Sequence, residues 1–396
     1  MSTRTQKSQA GADPKGFKAT ISEVPLRLYL SKIKTSGIIS YDFDNCYPDR
    51  MKIISDGSVV AKRCKLLRSK YVFGKGFSDE LFKKTLLNDK ETADQVLKKC
   101  VNNVSDYEGI ALWVGYNALM EVSSIKHLPF NYVRLTDPDG DNPDKYAVHP
   151  DWCGLKSKKF DPGLIDYIDK YSSDKDVIKN QIEKAEGFDN WRGQVLWMPL
   201  TMEDEYPETI YDSAFHSIST DVEIDLFKYR NVSTSFLAYY FYYKYGVFES
   251  DEARDEFVKS LGDVQGGRKA GKVLLVEGQT KETRDELVKI DVNNNDKLFT
   301  YHEESVNKKI RVSFSIPPEL LGLDSSSGFD SERVDQARAY YNSITQDERD
   351  TIKMIFELVL NNADPAIMGA GNYQIDKLVF EQDETQKITV KKKKKK

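Results

Sequence analysis

Cysteine is scarce in this chain. Four occur in 396 residues, Cys46, Cys64, Cys100 and Cys153, widely spaced and with no CxxC. That pattern excludes a zinc ribbon or a paired redox motif, and the simple expectation is four free, buried thiols in a reducing compartment. Histidine is equally sparse. His127, His149, His216 and His302 lie far apart, and only His149 and Cys153 have a spacing that could bring two metal ligands together. Pro150 interrupts a helix through that pair, and no second ligand pair is visible. Neither H-E-x-x-H nor G-x-S-x-G is present. No apolar run approaches the roughly 18–20 residues that cross a bilayer. Met1–Lys18 is polar and lacks the apolar core of a secretory signal, so none is expected. An excess of positive charge is also missing. The formal net charge is −5, and six of the lysines are the terminal run Lys391–Lys396, so the remainder is more acidic still. That balance argues against a protein that grips DNA by neutralising its phosphates.

What is present suits a large soluble core. The length suggests two or three domains, and 39% hydrophobic with 31% charged residues is a globular composition. Residues 1–20 are polar and expected to be disordered. Asn45-Cys46-Tyr47-Pro48 leads into a helix from Asp49 to about Tyr71, with Met51, Ile54, Val59 and Leu66 on an apolar face. Val72-Phe73-Gly74-Lys75-Gly76-Phe77 closes it with glycines suited to tight turns. A second helix follows over Glu91–Asn103. Tyr107–Phe130 reads as strands, Asn131–Leu135 continues them, and Gly193–Met198 is a further strand. Ser157–Gly187 reads as charged, partly helical surface.

In the second half, Ser213–Ser235 reads as a helix carrying Ile218, Val222, Leu226 and Phe227. Phe236–Tyr243 is a β-prone aromatic run. It would suit a core or subunit interface, or stacking on single-stranded bases. Asp251–Leu261 is a short amphipathic helix, and Gly271–Gly278 a strand. Asp296–Ser313 forms a last helix before Phe314-Ser315-Ile316-Pro317-Pro318-Glu319-Leu320-Leu321-Gly322. The two prolines stop that helix and push Ile316 toward extended backbone. A Ser/Gly loop follows, then a helix to about Leu360 with apolar residues at Val334, Ala337, Tyr341, Ile344, Ile352, Ile355 and Val359. Thr345-Gln346-Asp347-Glu348 reads as an internal capping box that kinks or restarts it.

Taken alone, that order is an ordinary loop-to-helix junction. "IPPELLG", the Ser/Gly loop and the helix through "DERDTIKMIFELVLN" together resemble the late part of tailed-bacteriophage portal proteins. "N-x-Y-P", its helix and the "FGKGF" turn are similar to portal-like sequences of Bacteroidetes phages. Asp225, Tyr229 and Ser233 sit in places comparable to a pattern near the first stem helix. The resemblance runs in element order from about residue 40 to 362, and its specific motifs cover a few dozen positions.

The resemblance implies an α+β portal fold. Its parts would be an arm over 1–20, the first part of an α/β wing over 21–212, and stem helix 1 over 213–235. An inserted α/β clip would span 236–298 and stem helix 2 would span 299–316. A tunnel loop over 317–331 and a long wing helix over 332–362 would follow. Residues 363–396 would hold a C-terminal wing or crown remnant and the lysine tail. The tail would meet packaged DNA or another acidic partner, or is an appended run.

The resemblance further implies a ring, usually of twelve subunits, at one capsid vertex of the virion. Double-stranded DNA would be packaged and ejected through it without sequence reading. Gly322, Leu323, Asp324, Ser325, Ser326, Ser327, Gly328, Phe329 and Asp330 would face that channel, where acidic residues repel phosphate and few fixed lysines hold it. Arg268, Lys269 and Lys272 of the clip would dock the terminase large subunit and later a head-tail adaptor. Major capsid and scaffold proteins would be the other partners. No enzyme activity, metal or cofactor is expected. The alternative is an intracellular α/β enzyme acting on nucleic acid or nucleotides.

Two further stretches imitate chemical motifs. Gly266–Lys272 matches G-x-x-x-x-G-K, but Val273 stands where a P-loop needs Ser or Thr, and a strand follows where a helix is required. Asp137–Asp144 resembles a calcium loop, yet Gly140 is fourth and Val148 twelfth, so an exposed acidic turn is expected.

Overall fold

A computed structural model describes residues 37–156, 160–201, 205–233, 240–245, 248, 250–264, 273–278, 286–289, 296–322, 331–369 and 371–379. Helices α1 (Tyr47–Gly57), α2 (Val59–Phe73) and α3 (Ala93–Tyr107) come first. Strands β1 (Gly109–Tyr116), β2 (Val122–Leu128), β3 (Val133–Leu135), β4 (Lys145–Val148) and β5 (Asp166–Lys170) follow, then α4 (Lys175–Lys184) and β6 (Gln194–Pro199). The second half holds α5 (Phe215–Ser233), β7 (Tyr240–Tyr245), α6 (Asp251–Val264), β8 (Val273–Gly278), β9 (Glu286–Lys289) and α7 (Asp296–Ser313). Short α8 (Pro318–Leu321), then α9 (Ser331–Ile344), α10 (Gln346–Leu360) and short α11 (Pro365–Met368) complete the order. The class is α+β, as the sequence suggests.

The larger sheet runs β2-β1-β6-β5-β4-β3. Its pairings are antiparallel except β5 with β6. Side chains alternate across a strand, and β1 divides two cores in this way. Ile110, Leu112, Val114 and Tyr116 enter a core with α3 and α10. Ala111 and Trp113 enter the other, with α1, α2 and the ends of α5 and α7. Helix α3 starts at a complete capping box, Thr92 with Gln95, and buries Val96, Leu97, Cys100, Val101 and Val104 on one face. A second sheet, β8-β7-β9, pairs β7 parallel to β8 and antiparallel to β9.

Four sequence expectations change. The helix expected from Asp49 to Tyr71 is two helices. Ser58 breaks it with extended backbone, caps α2 by accepting from Ala61 N at 3.0 Å, and donates to Asp221 at 2.7 Å. Val59 and Leu66 do not join a core face; they are 71% and 57% exposed. The stretch over 157–187 contains strand β5, whose polar sequence hides a position between β4 and β6. The cysteines are not all free. Cys46 and Cys153 form a disulfide across a separation of 107 residues, while Cys64 and Cys100 are free and buried. Cys153 is therefore not a metal ligand here. Burial raises both free thiols to about 12.

The portal-like motifs acquire structural reasons. Asn45 Oδ1 accepts from Tyr41 N and from the fully buried Arg134, and Tyr47 donates to Asp212 at 2.7 Å. Residues 45–48 thus anchor to segments far along the chain. Gly74 has φ +58, and an added Cβ would sit 1.9 Å from the Asp376 carbonyl oxygen. The close approach lets Lys75 N donate to that oxygen at 2.9 Å, pinning the C-terminal segment.

One buried titratable group couples this fold to pH. Asn103 Nδ2 donates to His127 Nε2 at 2.8 Å, so the ring keeps its proton on Nδ1. Burial, with Lys99 nearby, lowers the His127 pKa from 6.5 to about 4. The neutral form is the folded form, so its contribution is complete above pH 6.5 and fades as pH falls toward 4. His127→Gln keeps the acceptor and does not titrate. Its loss of stability between pH 6.5 and 4 in chemical unfolding should be smaller than the wild type's by about 1–3 kcal/mol. Superimposable acid profiles would exclude this role for His127.

Candidate stem and loop junction

Helices α5 and α7 pack against each other and against α1 and α2. Ile218 and Ile224 of α5, and Val306 and Ile310 of α7, are buried. Lys228 and Glu303 form an ion pair between the two. Beyond this seam Phe227 and Tyr229 are exposed, so the expected apolar stripe of α5 ends before Phe227.

The end of α7 is set by backbone geometry one step before the prolines. Ser315 is left-handed, with φ 53. Its N–H donates to Val312 O at 3.0 Å, and Ile316 N–H donates to Arg311 O at 3.1 Å. These are the two bonds of a Schellman stop, and Ile316 buries in the same core as Ile310. Pro317 and Pro318 then start α8, and Gly322 ends it in the left-handed region with open space where a Cβ would be. An open cavity of about 590 Å³ lies between this corner and α9, lined by Val312, Ile316, Glu319, Arg333 and Tyr340 among others.

The restart between α9 and α10 occurs at Thr345, where the sequence places it, but by another device. No side-chain cap forms. The Thr345 hydroxyl instead donates back to Tyr341 O at 3.0 Å and accepts from Arg349 Nη1 at 2.8 Å. Arg349 also donates to Tyr71 O at 2.8 Å, in the last turn of α2, and to Asn342 O at 2.5 Å, in the last turn of α9. Burial lowers its pKa, and the negative ends of two helices stabilise the charge. Beside it, Arg68 is bidentate to Glu108 and reaches Glu348 Oε1 at 3.1 Å. Burial opposes the Arg68 charge, and the two carboxylates more than offset this, so its pKa lies above the ordinary value.

No family model and no curated protein matches the chain. Solved structures do. A chain in the neck of a native gene transfer agent particle, computed with C12 symmetry, is 11% identical with TM-score 0.51. The match covers 87% of this chain and 88% of that one. One in the neck of an empty particle, computed with C6 symmetry, is 11% identical with TM-score 0.50 over 91% and 90%. An HK97-family phage portal protein from Corynebacterium diphtheriae aligns at 10% identity and TM-score 0.44, over 82% and 95%. The chain has the fold of these particle-neck proteins.

Of the site residues expected from the sequence, Gly322 lies within the described residues, at the exposed end of α8. Leu323 to Asp330, and Arg268, Lys269 and Lys272, lie outside them, as does the P-loop-like stretch over 266–272. The backbone of the aromatic run forms β7 from Tyr240 onward. Asp137–Asp144 is a turn in which Asp137 accepts from Asp139 N and Gly140 N. His149 is 3% exposed against Trp152 and Phe160. Among the described residues no group of three or more His, Cys, Asp or Glu could hold a metal ion, and no helix is long and apolar enough to cross a membrane. Sequence reasoning missed Arg68 and Arg349. Their only signal is a cation inside an apolar stripe, which is easily taken for a solvated position.

The left-handed Ser315 gives a direct check on the helix stop. Ser315→Gly removes the Cβ penalty and should raise unfolding stability by about 1 kcal/mol in a denaturant titration. A loss of stability would show that the Ser315 side chain, and not the backbone bend, holds the corner.

Proposed function

We propose that this chain is a phage-type portal protein: a ring-forming conduit at one capsid vertex through which double-stranded DNA enters and leaves a particle. The observation that carries the reading is a neck-protein fold aligned over nearly the full length of both chains. The helix, stop, loop and long-helix order of the sequence lends it further support. Identical subunits in a closed head-to-tail ring would create the channel. Twelve copies is the expected number, in keeping with the C12 symmetry of the native neck structure. The work of the ring is geometric and electrostatic, with no covalent chemistry.

In this reading α5 and α7 are the stem, and the segment carrying β7, α6, β8 and β9 is the clip. The loop from Gly322 to Asp330 lines the channel, where Asp324 and Asp330 repel the phosphates of passing DNA. Arg268, Lys269 and Lys272 dock the terminase large subunit and then a head-tail adaptor, and the wing meets capsid and scaffold proteins.

Native mass spectrometry with electron micrographs tests the ring. A closed assembly of about twelve copies with a central hole is expected, and a compact two-fold dimer would overturn the reading. Deleting Ser325–Gly328 should leave that ring intact and impair DNA packaging or retention. Full packaging by the deletion would remove the loop from the channel. Reversing the charge at Arg268, Lys269 and Lys272 should weaken terminase binding by tenfold or more, and unchanged binding would move the docking site elsewhere.

A further inference from the structure

Two helices carry outward ridges whose apolar side chains stay exposed among the described residues. On α2, Val59, Arg63 and Leu66 recur at four and three residues and share one face, with Val59 71% and Leu66 57% exposed. Lys62 and Lys70 flank them, also exposed, and neither these lysines nor Arg63 has an ion-pair partner among the described residues. On α10, Asp350, Met354 and Leu358 recur at intervals of four, with Met354 61% and Leu358 41% exposed. Asp347 and Glu357 flank them. Lys353 pairs with Glu357, so the α10 ridge draws its charge from Asp347 and Asp350; each ridge thus combines aliphatic side chains with net charge of one sign, and the signs are opposite.

We propose that these ridges are the two halves of one subunit contact. The basic ridge of α2 in one copy receives the acidic ridge of α10 in the next. The inference rests on the portal reading and names its interface. The partner is a second copy of this chain because the complement of each ridge is carried by the chain itself. Nucleic acid would answer the α2 cations but not its exposed aliphatics, and would be repelled by α10. The ridges sit on different helices, so the contact is heterologous, the kind that closes into a ring. The aliphatic residues supply a dehydrated centre and the charges set register and exclude wrong pairings.

The arrangement permits a test by complementation. Arg63→Glu alone sets Glu against Asp350, and Asp350→Arg alone sets Arg against Arg63. Each variant, folded as judged by circular dichroism and thermal unfolding, should need at least about tenfold more protein to form rings in native mass spectrometry. Mixed in equal amounts they should recover assembly. In an alternating ring every contact again joins opposite charges.

A second measurement is independent of the reversals. Leu66→Cys combined with Met354→Cys should give a ladder of cross-linked multimers under mild oxidation. The native cysteines do not compete, since two are paired and two are buried. Wild-type rings, with both reversals assembling normally and no ladder, would overturn the pairing alone. A wild-type chain that never closes into rings would overturn the portal reading and the pairing with it.

Discussion

Two buried guanidinium groups hold the helical layer together, and Arg349 is the more demanding of them. It draws on carbonyls, one amide oxygen and one hydroxyl. Such a cation is stable inside a protein only where several acceptors are aimed at it, and here the ends of α2 and α9 provide them. Removing it would leave acceptors stranded as well as a void. The break at Thr345 is therefore also a joint: it turns the chain between α9 and α10 while fixing α2 to both. Arg68, bound to Glu108 at the end of α3 and to Glu348 at the start of α10, ties in the helix that covers the sheet.

That joint defines what can move. Helices α2, α3 and α10 share buried charge and apolar core, and so behave as one body. The corner after α7 is different. It is held by the two backbone hydrogen bonds of its cap, by the buried Ile316 and by Phe314 stacked on Tyr211, with an open cavity beside it. The two regions rely on different forces, buried ion pairs in one case and a helix cap with aromatic packing in the other.

Much of the fold was legible in the sequence where periodicity was clean. The stripes of α9 and α10 bury as their spacing suggests, and α7 has the bounds expected for it. The proline corner was legible because proline acts locally. Strand β5 was not, since Asp166-Tyr167-Ile168-Asp169-Lys170 has the composition of a surface segment and becomes a strand only through its neighbours. The disulfide was illegible for a related reason, because its partners meet through tertiary structure across 107 residues. Val59 and Leu66 misled in the opposite direction. Their helical spacing was sound, but spacing does not say whether the covering surface belongs to the same chain.

The sheet order also dictates a sequence of events during synthesis. Strands β1 and β2 form one antiparallel pair, and β3, β4 and β5 form a separate meander. Strand β6 joins them by lying between β1 and β5, yet it is the last of the six to leave the ribosome. Until residue 199 has emerged, β1 and β5 each present an open edge with unpaired amides. The nascent chain thus carries two sticky half-sheets for as long as translation takes to cover the 29 residues from the end of β5 to the end of β6, which makes that interval the place where a translational pause or a chaperone would matter most.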